Sequence, residues 1–196
     1  NIGSIMLLRE AERDSWQKKI STHIQKAARR VDLARYKQEP AYVTAFLSRL
    51  DGEVQIIDGN ETITIEFLPS VIADRGPRAA ESKFGADFSI VFSNGKINKA
   101  ILSQAKRDKM TKADAVKLKQ QCEKMSRHTD HWVVLKMPAV SGQVPQISFK
   151  DDGSDSIPFD VYITDHIISC IHGDRSERFV NVVQDSDLKG LDIIVK

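Results

Sequence analysis

Two short runs of this chain hold side chains that can do chemistry together: Glu81-Ser-Lys-Phe-Gly-Ala-Asp87, continued by Phe-Ser-Ile-Val-Phe, and Ile-Leu-Ser-Gln104-Ala-Lys106-Arg107. Hydrolysing a phosphodiester requires neutralised charge on the phosphoryl oxygens, a hydroxide near neutral pH and a stabilised departing oxygen. A hard cation such as Mg²⁺, held by oxygen ligands, does all three. Asp87 offers a carboxylate, Gln104 a side-chain carbonyl, and Ala105 a backbone carbonyl between them and Lys106. Glu81 supplies a second carboxylate if the chain before Gly85 folds back, with Glu66 or Glu53 as alternatives for that acid. Lys106 can hold the attacking water or assist its deprotonation. The Gly85-Ala86 pair lets the backbone approach closely at the strand entrance.

These groups work only if local structure brings them to one face. Asp87 to Phe92 and Asn98 to Lys106 read as two strands around Asn94-Gly95, and side chains alternate faces along a strand. An even-length loop pairs residues whose numbers sum to an odd value, which puts Asp87, Gln104 and Lys106 on the same side. A loop of four residues, Asn94 to Ile97, sets Asp87 opposite Gln104 and is the favoured geometry. Upstream, Ile20, Ile24, Ala27, Val31 and Ala34 recur at helical intervals, predicting one amphipathic helix, or two, over Ser4 to Lys37. Pro40 interrupts it, Ala41 to Leu50 reads as a shorter helix, and Val54 to Asp58 with Thr62 to Leu68 as a hairpin. Pro69 to Ala80, with Gly76-Pro77, reads as a loop or a loop with a helical turn. Thr111 to Arg127 is a helix with Ala115, Leu118, Cys122 and Met125 on one stripe, and His131 to Met137 a buried strand. The remainder alternates weak strands with a helix around Asp160 to Ile171. The sum is α/β, a central mixed sheet flanked by helices.

Glu-x₃-Gly-Ala-Asp, a strand, a turn and Gln-x-Lys closing the next strand resembles the PD-(D/E)xK nuclease superfamily, the restriction-endonuclease-like fold. The resemblance covers about residues 78–137. It implies a restriction-endonuclease-like core over residues 53–196, with residues 1–52 as a helical segment packed on it. It further implies Mg²⁺-dependent cleavage of nucleic acid, with Mn²⁺ able to substitute. By resemblance Asp87, Gln104 and Lys106 take the signature positions, Glu81 the additional upstream acid, and Gln121 a supporting polar position on the following helix. Gln104 stands where the family usually has Asp or Glu, removing one negative charge from the metal site. Ala86 also replaces the signature proline. The nearest likeness is to nuclease modules of restriction and anti-phage defence systems, acting on duplex DNA ahead of RNA, as homo-oligomers or within larger assemblies. A nuclease-like fold that has lost catalysis and serves as a binding or assembly module is the alternative.

Charge patterning agrees with a polyanionic partner. The net charge is only +2, yet residues 1–37 hold nine Lys/Arg against four Asp/Glu, residues 38–95 four against nine, residues 96–127 ten against three, and residues 150–196 five against ten. Two basic helical blocks thus flank an acidic middle. Arg107, Lys109 and Lys112, just past the candidate site, read as phosphate contacts or, equally, as a solvated helix start. A purely structural protein with a solvated charged surface would show the same blocks but no salt-sensitive binding. The 41% apolar content excludes a disordered chain, and no apolar run reaches the ~18 residues of a membrane helix, so a soluble, cytoplasmic protein is expected. Ile5 to Leu8 is too short for a signal-peptide core. The absence of an initiator Met at Asn1 and the apolar end at Leu191 to Val195 suggest a domain cut from a longer protein. Cys122 and Cys170 are too far apart for a redox or metal pair and read as buried thiols. No Gly-x-Ser-x-Gly elbow or Walker loop exists; His23, His166 and His172 show no ligand spacing or catalytic partner, and His128 and His131, flanking the buried strand, read as structural.

Overall fold

The computed structural model describes residues 10–71, 78–169 and 171–196. The Ser4 start of the first helix, Ile5 to Leu8, Gly76-Pro77 and Cys170 lie outside the described residues. The chain forms an open, eight-stranded mixed sheet flanked by helices on both faces. Among the described residues, no helix is long and apolar enough to cross a membrane.

The first helix, α1, spans Glu10–Arg29 and buries Trp16, Ile20, Ile24 and Ala27, a stripe at spacings of three and four. It stops well short of the Lys37 expected from periodicity. Beyond Arg29 the Leu33 N–H donates to Ser141 Oγ at 2.9 Å, Asp32 Oδ1 accepts from the Ala34 N–H at 2.9 Å, and the Asp32 carbonyl accepts from Arg35 and Tyr36. Such bonds divert the backbone from the helical ladder. The second helix, α2 (Glu39–Arg49), carries Pro40 in its first turn, where the missing N–H costs nothing.

The hairpin β1 (Gly52–Asp58) and β2 (Glu61–Ser70) follows, then α3 (Arg78–Phe84), and then the antiparallel pair β3 (Phe88–Ser93) and β4 (Asn98–Lys106). Helix α4 (Lys112–Ser126) starts in a capping box: Thr111 Oγ1 accepts from Asp114 N at 3.1 Å and Asp114 Oδ2 accepts from Thr111 N at 3.0 Å. Leu118, Cys122 and Met125 of the expected stripe are buried, whereas Ala115 is exposed, because α4 meets the sheet only from its second turn on. Strand β5 (Trp132–Lys136) returns parallel to β4. After β6 (Gln146–Ser148) and β7 (Ile157–Pro158), helix α5 (Phe159–Tyr162) runs into a π-helical turn over Ile163–Ile168. A last helix, α6 (Glu177–Gln184), precedes β8 (Gly190–Val195).

The strand order is β1-β2-β8-β3-β4-β5-β6-β7. The final strand inserts between β2 and β3, antiparallel to the former and parallel to the latter. Alternation then sorts the core in two. Phe88, Ile90, Phe92, Ile101 and Ala105 pack with α1, α2 and α5 in one cluster, so the amino-terminal helices share the sheet's core. Val91, Ala100, Leu102 and Val134 pack against α3, α4 and α6 in the other.

Candidate active site

The site begins at the end of α3. Gly85 takes φ +71 and its N–H donates to the Glu81 carbonyl at 2.8 Å, closing the helix in the left-handed region that glycine enters without strain. A Cβ here would lie 2.9 Å from the Gln121 carbonyl oxygen and 2.8 Å from Lys124 Cβ on α4, so the elbow also needs the absent side chain. It delivers Asp87 to the end of the sheet.

Asp87 lies one residue before β3, not inside it as alternation along Asp87 to Phe92 assumed. Its N–H donates to the Ser103 carbonyl at 2.8 Å and its Oδ2 accepts from the Ala105 N–H at 2.7 Å. The carboxylate therefore occupies the ladder position that backbone would fill had β3 begun earlier. The register is the one expected for the four-residue loop: Ser93 pairs with Asn98, leaving Asn94 to Ile97 as the turn, and Phe88 pairs with Ser103. Asn94 holds that turn, its Oδ1 accepting from Lys96 N at 2.9 Å and from Ile97 N at 2.6 Å.

Gln104 and Lys106 share the face of β4 that packs against α3, α4 and α6, and both are buried, at 2% and 8% exposure. The Gln104 Nε2 donates to the Gly85 carbonyl, which ties the end of β4 to the elbow. Among the described residues its buried Oε1 has no hydrogen-bond partner, and neither has the Oε1 of Gln121. Orphaned buried acceptors are costly and point to a missing donor or cation. Glu81 lies close enough for its charge to act on Asp87. Burial, reinforced by Glu81, pushes the Asp87 carboxyl up to about 6, against the lowering pull of the Ala105 N–H and the Lys106 and Lys189 ammonium groups.

Among the described residues no three His, Cys, Asp or Glu side chains cluster as a metal site. The donors present fit a hard cation of modest affinity: the second oxygen of Asp87, the orphaned Gln104 Oε1, the Glu81 carboxylate and the Ala105 carbonyl, which leaves β4 on the same side as its N–H. Glu66 and Glu53 do not belong here. They pair with each other across β1 and β2, Glu66 faces Ile194 near the far end of β8, and its carboxylate pairs with Lys196. Four residues of β8, about 13 Å, separate that position from Gly190 beside the site.

Arg107 lies just past β4, and the sequence alone did not indicate its partners: it pairs with Glu39 at 3.5 Å and donates to Gln38 Oε1 at 2.6 Å. Lys109 and Lys112 are exposed beyond it. Lys189 is the site residue that sequence reasoning missed. It immediately precedes β8, and its carbonyl accepts from Ser89 N at 2.9 Å, so the insertion of β8 places it beside Asp87. No local signal marks a lone lysine in an acidic tail for that position. The histidines hold structure: His128 bonds the Lys83 carbonyl, His131 Nδ1 accepts from Gly173 N, and His23 bonds the Leu50 carbonyl.

No protein-family model, curated protein or solved structure matches this chain.

Proposed function

We propose that this chain is a Mg²⁺-dependent nuclease domain with a restriction-endonuclease-like core, hydrolysing phosphodiester bonds of nucleic acid, DNA ahead of RNA, with Mn²⁺ able to substitute. The observation that carries the reading is the Asp87 carboxylate bonded to Ala105 N, between Gln104, whose Oε1 is an orphaned buried acceptor, and Lys106. Mg²⁺ would neutralise phosphoryl charge and make water a competent nucleophile. Asp87, Gln104, Glu81 and the Ala105 carbonyl would hold it, and Gln121 supports the elbow through its close backbone approach to Gly85. Lys106, buried on the same face as Gln104, positions the attacking water or a phosphoryl oxygen by donating from its ammonium. We read the protein as a cytoplasmic effector of restriction or anti-phage defence, working as a homo-oligomer or within a larger assembly.

The test is cleavage of circular and linear duplex DNA, with an RNA control, in Mg²⁺ or Mn²⁺ against EDTA. Metal-dependent cutting lost in both Asp87→Ala and Lys106→Ala is the expected result. Cutting that survives either substitution refutes the assignment.

A second reading, a nuclease-like fold without catalysis that binds nucleic acid, is favoured by one observation. Gln104 contributes no charge, and its amide nitrogen is already committed to Gly85. Cleavage gained in Gln104→Glu would mark a weakened enzyme, and retained binding with no cutting in any metal or variant a binding module.

A further inference from the structure

The end of the sheet that carries Asp87 is bordered by two clefts. One, of about 450 Å³, lies between α2 and the start of β8 and is lined by Tyr36, Thr44, Ser48, Arg49 and Lys189. The other, of about 560 Å³, is lined by Leu33, Lys37, Arg107, Lys109 and Met137, with Asp108 as its one acid. Tyr36 and Lys37 are neighbours in sequence, so the turn between α1 and α2 forms a wall of both.

Along the row of strand ends the catalytic candidates stand between these clefts, whose walls of α2 and the α1–α2 turn pack on the opposite face of the sheet from Gln104 and Lys106. β8, β3, β4 and β5 are successive strands, and Lys189, Asp87, Lys106 and Met137 lie at their ends on the same edge of the sheet. Three strand spacings, about 14 Å, separate the first from the last. The Arg49 guanidinium lies 5.4 Å from the centroid of the Tyr36 ring, with Nη1 donating to the Ala45 carbonyl at 3.0 Å and Nη2 to the Tyr36 hydroxyl at 3.4 Å. That leaves N–H groups of its fork for a ligand. An aromatic ring with a guanidinium in cation–π range, a second cation and two hydroxyl side chains suit a nucleotide: a base on the ring, a phosphate on the charges. In the other cleft Glu39 offsets Arg107, so Lys37 and Lys109 provide most of the attraction for a phosphate.

We propose that one nucleic-acid strand runs across this end of the sheet, its nucleotide on one side of the scissile phosphate in the Tyr36–Arg49–Lys189 cleft and its backbone on the other side along Lys37 and Lys109. The inference rests on the nuclease reading for the position of the scissile phosphate, but the binding surface is testable without catalysis.

The experiment is fluorescence anisotropy of a labelled single-stranded DNA oligonucleotide and its duplex, in EDTA over a salt series, on the full chain. It compares wild type, Lys189→Gln, the double variant Lys37→Gln/Lys109→Gln, and a control double variant, Lys117→Gln/Lys119→Gln, on the exposed side of α4. The track variants should each weaken binding about tenfold at moderate salt and lower the salt slope by about one per lysine removed. The control should change neither by as much. Arg49→Lys, which keeps the charge and removes the planar guanidinium fork beside Tyr36, should weaken the single strand more than the duplex. If the control weakens binding as much as the track variants, or wild type binds neither DNA form, the track is overturned. Binding lost in the track variants of a protein that cuts nothing in any metal keeps the track and refutes the nuclease reading. Cutting unaffected by the track substitutions does the reverse.

Discussion

The side-chain amide of Gln104 donates to the backbone carbonyl of Gly85, and this bond joins the end of β4 to the elbow that presents Asp87. The glutamine therefore positions the elbow with its nitrogen while its oxygen stands orphaned and buried.

Gln104→Glu separates the two tasks. A carboxylate oxygen would replace the donor and face the Gly85 carbonyl, leaving two buried acceptors in contact, at about 1–3 kcal/mol. The metal-free variant should melt several degrees below wild type, and Mg²⁺ should raise its melting temperature by more than it raises that of wild type. Thermal melts with and without Mg²⁺ check both; equal responses to the metal would remove Gln104 from its ligands.

Asp87→Asn should stabilise the fold while abolishing cleavage. The folded carboxyl titrates at about 6 rather than 3.8 because burial penalises its charge. Between those values the native state holds a proton that the unfolded chain has released, so stability falls as pH rises and the full cost is present above about pH 6. The amide retains an acceptor for Ala105 N and removes the charge, gaining on the order of 1–3 kcal/mol at pH 8 and little at pH 3.5. Denaturant unfolding at the two pH values measures the difference. In the wild type, metal binding should strengthen as pH rises through about 6, because the ligand must first lose its proton.

Gly85→Ala should destabilise by about 1–3 kcal/mol from the positive φ alone, with more from the contact with the Gln121 carbonyl, because backbone cannot yield as a flexible side chain can. Cleavage should fall together with stability, since Asp87 lies two residues on. A melting curve and a cleavage assay on the same preparation test the link.

His172 should make the fold acid-sensitive. Burial, with His131, His166 and Lys99 nearby, lowers its folded value to about 4, and Nδ1 bonds the Tyr162 hydroxyl at 2.8 Å. Burial holds that hydroxyl above its ordinary value, so the tyrosine donates and the imidazole stays neutral. The unfolded histidine takes up its proton near 6.5, so stability is full above that pH and is lost on descent to about 4, by up to about 3 kcal/mol. Melting temperatures of wild type and His172→Gln between pH 7 and 4 should converge as the pH falls.

Local chemistry made part of this protein legible in its sequence. The alternation of apolar residues, Asn94 in its turn, Thr111 before a helix and the parity of an even loop act over a few residues, and each produced the expected element or register. Asp87, Gln104 and Lys106 were legible for that reason: one hairpin brings them together. The end of α1 was misjudged because side-chain bonds from Asp32 and the distant Ser141 take up the backbone N–H groups that a continuing helix would use.

What the sequence could not decide depends on contacts between distant segments. Lys189 reaches Asp87 only because β8 inserts between β2 and β3, a choice made by burial of Leu191 and Ile193 in the sheet rather than by any local preference. The choice of Glu81 over Glu66 and Glu53 was tertiary too: chemically the three are alike, and only the elbow at Gly85 and the antiparallel run of β2 along β8 set one beside Asp87 and the others about 20 Å along the sheet. Residue types and short spacings determined which groups could react; long-range strand pairing determined which of them meet.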